Sequence, residues 1–184
     1  MKIAVIFPGI GYHTDKPLLY YGKKLARAHG YEIREVPYKN FKPDIKGDRQ
    51  KMQEAFEHAL GQAEDMLKNV RWAEAEELLF ISKSIGTVVA AAYAKRHALK
   101  ARQIYFTPLA ETFLFAAEGE GIAFHGTADP WAFDADIEKG CADKRIPLIT
   151  VPGANHSLET GDLMRDLSNL SSVMGTAADW LIGG

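Results

Sequence analysis

The sequence predicts an α/β protein, with a mostly parallel sheet of six strands and helices on both faces. Three observations carry this expectation. Short, near-continuously apolar runs recur along the chain and stop at glycine, proline or polar residues, which is how strands buried on both faces read. Between them lie segments whose apolar residues repeat at helical spacing. The two kinds of segment alternate, as parallel strands joined by helical crossovers must.

The first strand covers residues 3–7, an apolar, β-branched run stopped by Pro8 and Gly9. A polar, glycine-rich loop follows, then a helix over residues 16–29 that Gly30 ends. Residues 31–36 alternate and give a second strand, followed by a polar loop to Asp48. From there Met52, Ala55, Phe56, Ala59, Leu60, Ala63, Met66, Leu67 and Val70 mark an amphipathic helix, with His58 on its solvated side. Residues 77–82 form the third strand, and 85–99 a helix whose Ala90, Ala91 and Ala92 favour close packing on the sheet.

The fourth, fifth and sixth strands fall at residues 103–106, 121–125 and 147–151. A short helix fits within residues 133–141. A C-terminal helix places Leu167, Leu170, Met174, Ala177 and Leu181 on one stripe and ends at Gly183 and Gly184. No internal repeat, low-complexity tract or long linker interrupts the pattern, so one domain over residues 1–184 is expected.

Composition narrows the function. A chain of 184 residues, 47% hydrophobic and 25% charged, is long and apolar enough for one substantial core. The net charge of −2 and the lack of a lysine or arginine run argue against a nucleic-acid partner. A single cysteine, Cys141, excludes an intramolecular disulfide and a multi-cysteine zinc site. The N-terminal apolar run, five residues before Pro8, is too short for a signal peptide or a membrane span. A cytoplasmic protein without a membrane partner is expected.

In a parallel sheet, functional groups gather in the loops beyond the carboxyl ends of the strands. Strand three is followed by Ser82-Lys83-Ser84-Ile85-Gly86, a variant of the Gly-x-Ser-x-Gly elbow in which serine replaces the first glycine. Strand five is followed by His125-Gly126-Thr127-Ala128-Asp129-Pro130, and strand six by Pro152-Gly153-Ala154-Asn155-His156-Ser157. Serine, acid and histidine thus occur in that order on one rim. Each alone has a plain structural reading: Ser82 or Ser84 as a helix cap, Asp129 as the start of a turn, His156 as a loop residue bonded to its neighbours. His125, at the end of strand five, reads as a packing residue or one standing behind the site rather than in it. Asp134 and Asp136 are reserve candidates for the acid, and Cys141 has no base near it in sequence. A two-histidine, one-carboxylate metal site from His125, Asp129 and His156 lacks the helical histidine spacing that enforces such geometry, so no metal is expected.

In these residues the sequence resembles the α/β-hydrolase family, and the resemblance spans nearly the whole chain. It rests on the Ser84 elbow, the His-Gly-Thr-Ala-Asp-Pro stretch with Asp129 and the Gly-Ala-Asn-His stretch with His156. The resemblance implies Ser84 as nucleophile, His156 as general base and Asp129 as the acid that orients it. It also implies an oxyanion hole from the N–H of Ile85 and one from the loop after strand one, placed at Ile10 with Gly11 as the alternative. That loop holds Pro8-Gly9 where the family often has His-Gly.

The family's lid is inserted where this chain has only residues 107–120, and the first two strands of the family's usual sheet have no counterpart. A small, capless serine hydrolase is therefore implied, acting without a cofactor on a small ester or thioester. Gly11, Tyr12, His13 and Trp131, with Phe113 and Phe115, are the candidates to line a pocket for that acyl substrate. The alternative is a binding or scaffold module that keeps the fold without catalysis.

Overall fold

The computed structural model describes residues 1–183 apart from Asp44 and Lys46. Six strands, β1 (Lys2–Phe7), β2 (Tyr31–Glu35), β3 (Glu77–Lys83), β4 (Arg102–Phe106), β5 (Gly121–Gly126) and β6 (Leu148–Val151), form one sheet in the order β2-β1-β3-β4-β5-β6. Every neighbouring pair is parallel. Five helices connect or follow them: α1 (Pro17–Ala28), α2 (Arg49–Leu67), α3 (Ile85–Arg96), α4 (Asp134–Asp143) and α5 (Leu163–Ile182).

Strand order fixes where a ligand can reach. The chain leaves β1 toward β2 on one side, then crosses back through α2 to β3 on the other side of β1. The loops after β1 and β3 therefore diverge, and a crevice opens between the carboxyl ends of these two strands.

Alternation along each strand builds the two faces. Ala4 and Ile6 of β1 and Leu79 and Ile81 of β3 pack with Leu18, Leu19, Val173 and Ala177, so α1 and α5 cover one face. Ile3, Val5 and Phe7, with Leu78 and Phe80, pack with Ala59, Leu60, Val89 and Tyr93, so α2 and α3 cover the other. On the same side, Tyr105 and Ala123 meet Ile137 and Cys141 of α4. Phe7, Phe80 and Tyr93 form an aromatic cluster with ring centroids 5.1 to 6.3 Å apart. Burial of each such ring stabilises the fold by about 1.5–3 kcal/mol. Helix α3 is buried at every residue from Ile85 to Ala94, which its small alanines permit against both β-strands and α2.

The structure differs from the sequence-based expectation in particular places. Helix α2 starts as expected, with Asp48 accepting from the Lys51 N–H at 3.1 Å, but stops at Leu67 and leaves Val70 in the following turn. On α5, Leu167 is 52% exposed while Val173 is buried. The first two turns of that helix lie alongside the loop after β6, where Arg165 donates to the Pro152 carbonyl, so its apolar stripe meets the sheet only further on. Gly184, the expected end of this helix, lies outside the described residues. The segment between β4 and β5, in keeping with its short length, holds a single 3-10 turn, Ala110–Leu114. Among the described residues no helix is long and apolar enough to cross a membrane.

Candidate active site

Ser84 stands on the turn between β3 and α3 with φ 57° and ψ −128°, a conformation that L residues other than glycine adopt only under strain. Its backbone is held on both sides. The Ser84 N–H donates to the Phe106 carbonyl at 3.1 Å, and the Ser84 carbonyl accepts from the Thr87 N–H at 2.8 Å and the Thr87 hydroxyl at 2.7 Å. Thr87 in turn shares a 2.6 Å hydrogen bond with the buried Thr112 hydroxyl of the 3-10 turn.

The glycine of the elbow is required by contact. A Cβ on Gly86 would stand 2.3 Å from the Phe7 carbonyl oxygen and 2.4 Å from that of Pro8. The first position tolerates serine because the Ser82 side chain is buried beside β4 and donates to the Ile104 carbonyl at 3.2 Å. Ser82 thus satisfies its hydroxyl in the sheet and lies away from the crevice.

The loops after β5 and β6 are laced together. Ala128 N–H donates to Ala154 O at 2.9 Å, and Gly153 N–H donates to the Thr127 hydroxyl at 2.8 Å. A Cβ on Gly126 would meet the Ala154 oxygen at 2.3 Å, so glycine is what lets the two loops touch. The Asn155 side-chain oxygen accepts from the N–H groups of Ser157 and Glu159 at 2.7 and 3.2 Å, winding the chain around His156 as an Asx turn does.

These supports bring three expected residues into contact. His156 Nε2 lies 2.7 Å from Ser84 Oγ, and His156 Nδ1 lies 2.6 Å from Asp129 Oδ2. A carboxylate only accepts, so Nδ1 carries the proton and donates to Asp129, and Nε2 is left to accept from the Ser84 hydroxyl. The other carboxylate oxygen of Asp129 accepts from the Trp131 N–H at 2.8 Å. The Asp129 side chain is fully buried and that of His156 is 19% exposed. Burial pushes the Asp129 carboxyl up. The bond and charge of His156, the Trp131 N–H and the charge of His125 outweigh it, and hold the group below the usual carboxylate range.

Two segments beside the elbow offer backbone N–H groups. Ile85 opens α3, where a helix N–H has no intrahelical acceptor. After β1 the chain turns at Gly9–Tyr12, and the two bonds that close this turn use only the N–H groups of Gly9 and Tyr12. Those of Ile10 and Gly11 are not consumed by it.

Other candidates fall elsewhere. Tyr12 does not line an open pocket: it is 6% exposed, packs with Leu18 and Leu19, and its hydroxyl accepts from the Leu18 N–H at 3.1 Å. Burial, offset in part by that N–H and reinforced by the charge of Glu159, pushes its pKa up to about 12. An amphipathic tyrosine meets both needs in the core, which sequence position alone does not reveal. Phe113 is buried against Gly140 of α4, and Phe115 stacks on Phe56 at 5.8 Å, so neither lines the rim. Gly11, His13 and Trp131 are exposed.

His125 is fully buried on β5 and its Nε2 lies 2.7 Å from Asp134 Oδ1. Asp134 is thereby engaged at the start of α4, and His125 and His156 hold different carboxylates. Among the described residues no cluster of three histidine, cysteine or acidic side chains could hold a metal ion. The tie between β5 and α4 was not evident from the sequence; a histidine nine residues before an aspartate carries no periodic signal. Cys141 is buried in the α4 contact, and desolvation pushes its thiol up to about 12, which removes thiolate chemistry.

No protein-family model matches the sequence, and no curated protein matches it. Solved structures do. A protein of the α/β hydrolase superfamily from Xanthomonas campestris pv. campestris is 14% identical over 100% of both chains, with a TM-score of 0.70. An α/β serine hydrolase homologue from Coxiella burnetii is 13% identical, with 96% of this chain and 84% of that one covered and a TM-score of 0.67. An α/β serine hydrolase without a lid, from Xanthomonas campestris, is 11% identical over 97% of this chain and 81% of its own, with a TM-score of 0.60. At these identities the likeness is one of architecture, and with the all-parallel sheet of six strands it establishes that this chain has the α/β-hydrolase fold in a minimal form.

Proposed function

We propose that the protein is a serine hydrolase that cleaves a small carboxylic ester or thioester through an acyl-enzyme on Ser84. The observation that carries this reading is the unbroken hydrogen-bonded chain from Ser84 Oγ through His156 to Asp129. As Ser84 Oγ attacks the substrate carbonyl, His156 Nε2 takes its proton, and Asp129 stabilises the imidazolium without accepting the proton itself. The tetrahedral oxyanion is received by the N–H of Ile85 and that of Ile10 or Gly11. His156 then gives its proton to the departing alcohol or thiol, and the same base activates the water that releases the acid.

A small acyl group fits the lidless frame. Only residues 107–120 separate β4 from β5, and the exposed Gly11, His13 and Trp131 are the residues available to meet substrate at the rim. Neither a cofactor nor a nucleic-acid or membrane partner enters this reading, and cytoplasmic residence belongs to it as well.

Labelling with a fluorophosphonate probe tests the proposal. Wild-type protein and Ser82→Ala are expected to label, and Ser84→Ala to remain unlabelled. Folded wild-type protein that takes up no probe would move the chain to the non-catalytic class of this fold.

A further inference from the structure

The residue before Ser84 is a lysine, and its side chain is almost completely buried, with 1% exposure. An ammonium carries a large desolvation penalty, so a lysine retained inside the fold is held there by specific partners. One is visible in geometry: Lys83 Nζ lies 4.9 Å from the ring centroid of Tyr12. The face of an aromatic ring attracts a cation, most strongly where water is excluded. Lys16 Nζ approaches the same ring to 5.4 Å.

Tyr12 is also the last residue of the turn that presents the Ile10 and Gly11 N–H groups. Its backbone closes that turn through both bonds to Gly9, at 3.2 and 3.3 Å. Its hydroxyl is fixed to the start of α1 by the Leu18 N–H. On the opposite side the turn abuts the elbow: a Cβ on Gly9 would stand 3.1 Å from Ser84 Cβ and 3.3 Å from the Lys83 carbonyl oxygen. The turn is therefore seated directly on the elbow, and the Tyr12 ring is the part of it that Lys83 can hold.

We infer that Lys83 is a positioning residue whose ammonium, laid on the Tyr12 ring, fixes the Gly9–Tyr12 turn against the elbow and so aims its N–H groups at the oxyanion. This rests on the hydrolase reading above. An apolar side chain could fill the same volume, but its contact has no preferred point on the ring, whereas a cation is drawn to the ring face. Donors displaced by about 1 Å lose on the order of a hundredfold in rate, so a loose turn would lower kcat with little effect on binding.

The test grades the ring without changing its shape. Tyr12→Phe and its 4-fluoro, 3,5-difluoro and pentafluoro analogues are compared in 4-nitrophenyl acetate hydrolysis, with melting temperatures taken in parallel. Each fluorine makes the ring face less negative. The expected result is a stepwise fall in kcat of about tenfold across the series, within the range of a cation–π contact away from water, with KM changed less than about threefold. In a Lys83→Met background the series should be much shallower, with only the more distant Lys16 contact left to grade.

A flat series with lysine present, or a fall in kcat/KM carried by KM, overturns the inference. Because the series is run with Lys83 in place, a Lys83→Met chain that fails to fold does not protect it. Wild-type protein that takes no fluorophosphonate and hydrolyses no ester overturns both readings, whereas labelled protein with a flat series overturns this one alone.

Discussion

Gly86→Ala separates two physical effects of opposite sign. Gly86 lies in the first turn of α3, so alanine should stabilise the helix by about 1 kcal/mol from propensity alone. The added Cβ would also stand 2.3 and 2.4 Å from the carbonyl oxygens of Phe7 and Pro8, about 1 Å inside ordinary contact. Both obstructing atoms are backbone at the end of a central strand, so no side chain can swing aside. Overpacking of this kind costs about 1–3 kcal/mol, and the upper end applies where backbone must move. The difference is a net loss of roughly 1–2 kcal/mol, or a fall in melting temperature of about 2–8 °C for a chain of this size. Relief of the clash pushes α3 away from the loop after β1, the two elements that carry the candidate oxyanion donors. Fluorophosphonate labelling should therefore slow on the order of a hundredfold. Thermal unfolding by circular dichroism and a labelling time course read the two effects independently. A melting temperature that rises, with labelling unchanged, would show that propensity wins and that the close approach is not what requires glycine.

Other outcomes follow from the same geometry. Asp129→Asn keeps the shape of the acid but removes the acceptor that fixes the His156 proton on Nδ1, and should lower kcat for 4-nitrophenyl acetate about ten-thousandfold, with the melting temperature at neutral pH reduced by the stability that the carboxylate contributes. Because the Asp129 carboxyl is held below its unfolded value, its contribution to stability is complete above the ordinary carboxylate range and is lost as pH falls through the depressed folded value. Acid titration of the melting temperature should accordingly show a loss at that acid end which Asp129→Asn lacks. Cys141, buried and with its thiol raised, should resist iodoacetamide at pH 8 in the native protein and react once denatured, as intact mass will report.

What was legible in the sequence, and what was not, divides along physical lines. Strands and helices were legible because burial on both faces leaves unbroken apolar runs, and because one-sided burial leaves helical spacing. The positions of Ser84, Asp129 and His156 were legible because each follows a strand end, and the topology sends all strand ends to one rim. Contacts that depend on a third element were not. Tyr12 lies in a loop, and only the packing of α1 and the position of Lys83 show that its ring is buried. Lysine is so seldom buried that nothing in its neighbours on the chain marks Lys83 as internal. Gly126 reads as one more loop glycine until the Ala154 carbonyl is found against it. Leu167 fits the stripe of α5 by spacing, yet the helix begins beyond the sheet, so periodicity could not show where burial starts.

The strain at Ser84 bears on whether the elbow serves chemistry or only structure. At φ 57° and ψ −128° a non-glycine residue costs of order 1–3 kcal/mol, a cost that the bonds to Phe106 and Thr87 hold in place without removing. Glycine would take up the same backbone without that cost. If the turn existed only to join β3 to α3, Ser84→Gly should be the better sequence wherever the strain is above about 2 kcal/mol: its relief then exceeds the loss of one hydrogen bond to His156, about 1 kcal/mol, together with glycine's greater entropy when unfolded, about 0.5–1 kcal/mol. Toward the upper end of the strain range the net gain is about 1 kcal/mol, a rise of about 2–4 °C in melting temperature. The same variant should take no fluorophosphonate. A chain that becomes more stable while it loses labelling is one in which serine is kept at the expense of stability for what its hydroxyl does. A chain that loses more than about 1 kcal/mol on Ser84→Gly would instead show the hydroxyl's bond to His156 to be a structural support, and the strain argument would fail.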